Sequence, residues 1–319
     1  MKKKINIGII GKNFGHKVTY KVIKKIKTLK TIAFCFKTNS YLKNNKTITI
    51  YNDWKKLLKN KNLNAVVIAS PPETHFNIIK EAIKNKIHIF CEKPVTKSYR
   101  EINQICSIIK KKNIIHFVNF EFPQIQAFIF FKKKILNNIK IKRINIEWFM
   151  KIPQQKRSSW KDSHKKGGGV FYNYLCHCIY YLIDLFGELV VEKSIKKPSK
   201  NPKDLMIKFR NINKNFIINI NLKILPITSK KKSIHQIKIF SNKGIYSLLS
   251  KTENVNDKFC LKKSNKIIFQ PKIDNEDFRI FPILKNLKNF QKSIFNKKIT
   301  RPNFFDARKI HLIINQLSS

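Results

Sequence analysis

The first 120 or so residues alternate two patterns: short runs that are apolar at nearly every position, and longer stretches in which apolar residues recur every third or fourth position. A run without polar alternation suits a strand buried on both faces, and a recurrence of about 3.6 residues suits a helix lying over it. Strands are predicted at 5–10, 31–36, 47–51, 65–69, 87–91 and 114–118, and helices at 16–29, 54–58, 73–85 and 98–111. Strands separated by crossover helices form a doubly wound parallel sheet. Beyond residue 120 the period shortens to two, with strands predicted at 141–149, 205–209, 216–224 and 236–240. Ser241-Asn242-Lys243-Gly244 has the composition of a hairpin turn. A helix is expected at 170–186 and a last one at 305–317, which could return to either half. The pattern predicts an α/β domain over 1–119 and an α+β, mostly antiparallel sheet domain over 120–319.

The turn after the first strand reads Gly11-Lys12-Asn13-Phe14-Gly15. Glycines there let the backbone bend tightly and approach a pyrophosphate, whose charge is met by amide groups opening the next helix. Gly11 and Gly15 fit that role in a Rossmann-type domain, with Asn13 where a second glycine is expected and Phe14 beside it. A plain strand-to-helix turn stays open as the alternative. After the second strand no acid stands ready for the ribose hydroxyls of NAD; Lys37 and Thr38 could take a 2′-phosphate instead, a slight lean toward NADP over NAD.

The formal net charge of +49 changes the picture less than its size suggests. Only seven of the 67 basic residues are Arg, and the Lys are spread through every segment. Base reading favours the planar Arg fork, so no specific nucleic-acid partner is expected, only nonspecific adhesion to polyanions at low salt. No apolar stretch reaches the roughly 18 residues of a membrane span, and no membrane partner is expected. Six scattered cysteines without secretory context favour reduced thiols and a cytoplasmic protein. Cys176-His177-Cys178 lacks a second ligand pair at zinc-like spacing, so no metal is expected.

Two further segments fall where strand ends face the crevice of an open α/β sheet: Ser70-Pro71-Pro72-Glu73-Thr74-His75 and Glu92-Lys93-Pro94. A Pro-Pro-x-x-His loop followed by a Glu-Lys-Pro strand end resembles the Gfo/Idh/MocA oxidoreductases, and the resemblance covers essentially the whole chain. It implies a Rossmann domain joined to an open sheet, with Ser70, Pro71 and Pro72 along the nicotinamide side. It also implies that Glu92 contacts ribose and that Lys93 reaches the reacting carbon to polarise or protonate a substrate oxygen. His75 sits in the helix-opening turn of the cofactor loop, more as a structural residue than a chemical one.

In the second half, Gly167-Gly168-Gly169 lead into a helix bearing Asn173 and His177 four residues apart, hence on one face. The family carries Asp-x-x-x-His here, which implies His177 as the acid/base partner; Asn173 in place of the acid hydrogen-bonds a sugar but cannot act as a base. Trp160 and Lys161 are candidates to close over a polyol, and Asn119 and Glu121 to border the cleft, although many family members carry an Arg near Glu121. The reading is an NAD(P)-dependent oxidoreductase acting on a CH–OH group of a sugar, sugar derivative or polyol. The open sheet is a candidate surface for a homo-oligomer. A non-catalytic nucleotide-binding sensor and a nonspecific polyanion binder stay as alternatives.

Overall fold

In the computed structural model, residues 4–36, 47–151, 160–196, 204–251, 259–271 and 277–318 are described. They divide into two units: Met1–Glu121 with Lys165–Gly167 and Ile280–Ser319, and Phe122–His164 with Gly168–Arg279.

The apolar runs of the first unit become the parallel strands β1 (Ile5–Ile10), β2 (Leu29–Cys35), β3 (Thr49–Tyr51), β4 (Ala65–Ile68), β5 (His88–Cys91) and β6 (His116–Val118). They form one sheet in the order β3-β2-β1-β4-β5-β6, so the direction of winding reverses between β1 and β4. Crossovers run through α1 (Tyr20–Ile23), α2 (Trp54–Leu58), α3 (Pro72–Lys84) and α4 (Tyr99–Ile109). Asp53 caps α2 by accepting from the Lys55 amide, and Ser98 caps α4 by accepting from that of Glu101. The first helix departs from expectation: it starts at once after Gly11 as a wide, π-type turn over Lys12–Thr19 and ends at Ile23, well short of residue 29. The chain passes into turns from Lys24 onward, and Leu29 already pairs with Ile5 in the sheet.

Two helices from the far end of the chain complete this unit. One is α7, Ile280–Phe295, which the sequence pattern did not predict; the other is α8, Phe304–Ser318. The buried Ile283, Leu287 and Phe290 of α7 join the core formed by Ile7, Ile9, Val67, Phe90 and Phe117. Phe304 of α8 stacks on His116, whose Nδ1 accepts the Phe304 amide at 3.1 Å.

The second unit is an eight-stranded sheet in the order β14-β13-β12-β11-β7-β10-β9-β8. These strands are β7 (Ile141–Lys151), β8 (Leu189–Lys196), β9 (Asp204–Asn211), β10 (Ile217–Leu225), β11 (Ile234–Ser241), β12 (Gly244–Ser250), β13 (Cys260–Lys263) and β14 (Lys266–Phe269). The β11–β12 hairpin closes at Ser241 and Gly244 as the turn composition predicts. All neighbours are antiparallel except β7 and β10, which run parallel at the sheet centre. Alternation decides which face is covered: Ile144, Ile146, Ile218, Ile220, Leu222 and Phe209 point inward. The outer face carries ion pairs, Lys208 with Glu192 at 3.1 Å and Lys223 with Asp204 at 3.3 Å, around an exposed Met206. Against the inner face lie α5 (Gln126–Phe130) and α6 (Cys176–Phe186), with Phe128 and Tyr181 buried in one aromatic cluster.

Candidate active site

The C-terminal ends of the parallel strands of the first unit are stitched in a row by backbone hydrogen bonds. Gly11 N donates to Cys35 O, Ala69 N to Ile10 O, Glu92 N to Ile68 O and Asn119 N to Cys91 O, at 2.8 to 3.2 Å. Gly11, Ser70, Glu92 and Asn119 therefore follow one another along one sheet edge, at the place where winding reverses. Gly11 has φ +123°, and a Cβ there would run into the Ala69 carbonyl. Only glycine lets these backbones close up, and the turn beside the opening helix could hold an anionic group such as a pyrophosphate. Gly15 is buried against Ile9 and Ala69, holding that helix to the sheet. Asn13 is exposed in the first helical turn, so it needs no left-handed conformation, and Phe14 is half-buried against the core. Lys37 and Thr38 lie outside the described residues.

His75 ties two of these strand ends together. It is buried on α3, with Nε2 at 2.8 Å from Ser70 O and Nδ1 at 3.1 Å from Pro94 O. Burial pushes its pKa down to about 4 against the smaller opposing pull of those carbonyls. A neutral ring has one N–H, which goes to one of these two carbonyls; the Cys91 thiol lies 3.6 Å from Nδ1 and donates to Glu92 O at 3.3 Å. Ser70 Oγ and Thr74 Oγ1 are 2.7 Å apart, and Thr74 Oγ1 donates to Pro71 O, which shapes the Pro71-Pro72 entry to α3. Lys93 follows Glu92 at the end of β5, and the Lys93–Pro94 peptide is cis.

Beside Lys93, Glu92 Oε1 accepts from Asn119 Nδ2 at 2.7 Å, and the same nitrogen reaches Glu121 Oε1 at 3.3 Å. Burial, then the charge of Glu121, push the Glu92 carboxyl up to about 8, against the pull of Asn119 and Lys93.

In the second unit, the chain entering α6 makes another wide turn over Phe171–Leu175. His177, on α6, is buried with its ring 4.9 Å from that of Phe122 and 6.4 Å from Trp148. Asn173, one turn earlier in the chain, donates from Nδ2 to Lys161 O at 2.7 Å. The Trp160–Asp162 turn is seated there because Gly168 N donates to Ser163 O at 2.9 Å, and a Cβ on Gly168 would strike the Trp160 and Lys161 carbonyls. Trp160 is half-buried and Lys161 exposed. Cys176 donates to Tyr172 O and Cys178 accepts from Tyr181 OH, so both thiols serve packing.

Residues 5–120 match the oxidoreductase family with an NAD-binding Rossmann fold, and residues 132–256 match the C-terminal alpha/beta domain of the same family. The chain belongs to the Gfo/Idh/MocA oxidoreductases. Among curated members, an uncharacterized oxidoreductase of Synechocystis, sll0816, is 27% identical over 191 residues, 57% of this chain and 52% of that protein. A levoglucosan dehydrogenase of Pseudarthrobacter phenanthrenivorans is 32% identical over 84 residues, 26% of this chain and 22% of that protein. The chain thus spans about half the length of the curated relatives it matches, or less. A solved levoglucosan dehydrogenase in complex with NADH and L-sorbose superposes with a TM-score of 0.82 at 16% identity, covering 99% of this chain and 96% of that one. WlbA dehydrogenase from Bordetella pertussis, in complex with NADH and UDP-GlcNAcA, gives 0.80 at 15% identity, covering 100% and 96%. At such identities these two establish the shared fold. Two features of this Gfo/Idh/MocA protein escaped the sequence reading. Asn286 of α7 hydrogen-bonds Asn119 from 167 residues away, and Phe122 forms the aromatic wall of His177; neither carries a local motif.

Proposed function

We propose that the chain is a nicotinamide-dependent oxidoreductase that moves a hydride between NAD or NADP and a CH–OH carbon of a sugar, sugar derivative or polyol. The cradle at Gly11, closed against Ala69 and in line with Ser70 and Glu92, carries the reading. A relative named as a levoglucosan dehydrogenase, and fold neighbours solved with NADH beside L-sorbose or UDP-GlcNAcA, support its substrate class. Gly11, Gly15 and the amides after them would hold the pyrophosphate; Ser70, Pro71 and Pro72 border the nicotinamide side, and Glu92 takes ribose hydroxyls. Lys37 and Thr38 give a slight lean to NADP. Bound there, the nicotinamide supplies the hydride acceptor or donor.

The protein moves the proton. His177 accepts it from the substrate hydroxyl during oxidation and returns it during reduction, and Lys93 donates a hydrogen bond to the substrate oxygen. Trp160 and Lys161 contribute apolar and polar contacts to the polyol. Acid–base assistance of this kind is worth about 10² to 10⁴ in rate. Steady-state kinetics with a panel of sugars should show His177→Ala and Lys93→Met lowering kcat by about 10² or more with cofactor affinity nearly unchanged. Full activity in either variant removes that residue from the chemistry. Tight cofactor binding with no turnover on any sugar would make the protein a nucleotide sensor instead.

A further inference from the structure

Glu121 lies between the two family-matched spans and Asn286 beyond both, yet both reach the neighbourhood of Glu92 within the first unit. Asn286 is fully buried, and its Nδ2 donates to Asn119 Oδ1 at 2.9 Å and to Phe120 O at 3.2 Å. With its oxygen so engaged, the Asn119 amide must present Nδ2 to the two carboxylates. A flipped amide would set Asn119 Oδ1 against both acids and Nδ2 against the Asn286 amide nitrogen, which is wrong on both sides. Asn119 thus gathers two carboxyl groups around one nitrogen, where full ionisation of both is disfavoured by like charge.

We propose that Glu92 and Glu121 hold a single proton between them across Asn119, in a geometry fixed by Asn286, and that this pair makes the cofactor site tell oxidised from reduced nicotinamide according to pH. The inference rests on the reading that the Glu92 edge receives the nicotinamide ribose. The raised pKa of Glu92, about 8, agrees with a proton retained at neutral pH. The titratable groups around Glu92 include Lys93, a counter-charge to it, the Cys91 thiol, raised well above its usual range by burial, and His75. The Cys91 thiol and His75 both stay uncharged near neutrality, which leaves the carboxyl pair to exchange the proton. The oxidised ring bears a positive charge that the reduced ring lacks, so it favours the doubly ionised pair and expels the shared proton to solvent. Asn286 and Asn119 are positioning residues; the carboxylates are what the cofactor meets.

The test is the dissociation constant of the full chain for oxidised and reduced nicotinamide dinucleotide, titrated separately from about pH 6 to about pH 9 without sugar. Preference for the oxidised form should rise with pH by up to about tenfold per unit across the titration of the pair. Glu121→Gln removes the like charge and should move that inflection to lower pH. Asn286→Ala frees the Asn119 amide to turn its oxygen toward the acids and should move the inflection to higher pH, weakening both forms. A residue that merely packs would lower the melting temperature and leave the inflection in place, and that result would remove Asn286 from the proposal. Should Asn286→Ala fail to fold, Glu121→Gln, at a partly exposed position, still decides. Binding with a ratio independent of pH, or an unmoved inflection in Glu121→Gln, overturns the proton-sharing pair alone. Failure of either cofactor to bind at any pH overturns the cofactor reading and this inference with it.

Discussion

Asn173 gives its amide hydrogen to the carbonyl of Lys161, a bond that an ionised carboxylate at that place cannot make. Asn173→Asp therefore sets an anionic oxygen against a carbonyl and should release the Trp160–Asp162 turn at least as fully as Asn173→Ala does. Trypsin cleavage after Lys161, followed by mass spectrometry, should accelerate in both variants, and KM for the sugar should rise with cofactor affinity unchanged. An Asp variant that matched the wild type in both measurements would show that the turn stands without this bond. From the sequence, Asn173 reads as a substrate contact on the face of His177. The Lys161 carbonyl that it meets is brought there by a turn folding back onto Gly168, a tertiary event with no periodicity to announce it. The placement of Gly11, Glu92 and Lys93 was legible for the opposite reason: each sits at a strand end whose position follows from the apolar run before it.

At the scale of elements, the parallel sheet and its crossovers were readable because burial on both faces leaves almost no polar residue in β1, β4 or β5. The parallel pairing of β7 with β10 was not, since alternation reports which face a strand buries and is silent on its direction. Helix α7 was missed although Ile283, Leu287 and Phe290 recur at helical spacing, because Pro282 and the interspersed Lys and Asn blur its start. Its anchoring residue is Phe290, fully buried with its ring 5.6 Å from Phe90 and 6.3 Å from Phe117. Phe290→Ala should cost about 3 to 5 kcal/mol of stability, read from urea unfolding followed by a probe on the first unit. A loss under about 1 kcal/mol would mean that α7 leans on the sheet without completing its core.

For the molecule as a whole, four buried histidines set the acid limit. Burial holds His75 and His116 down to about 4 and His235 and His311 down to about 3, from 6.5. Between those values and 6.5 the unfolded chain binds protons that the folded chain refuses. The histidines' contribution is therefore whole above about pH 6.5 and falls as the pH drops through 6 and 5 toward 4, offset in part by Glu92, which keeps up to about pH 8 a proton that the unfolded chain has lost. The urea midpoint should decline over that range, most for the first unit, which holds His75, His116 and His311. A midpoint constant between about pH 7 and about pH 5 would show that these rings protonate without unfolding. The division of the chain also imposes an order on its making. Because α7 supplies part of the core under β1, β5 and β6 but is encoded after the whole second sheet, a ribosome completes that sheet while one side of the nucleotide-binding half is still bare. During that interval Ile7, Phe90 and Phe117 lack the apolar cover of Leu287 and Phe290, which makes the growing chain a client for chaperones that bind exposed hydrophobic segments.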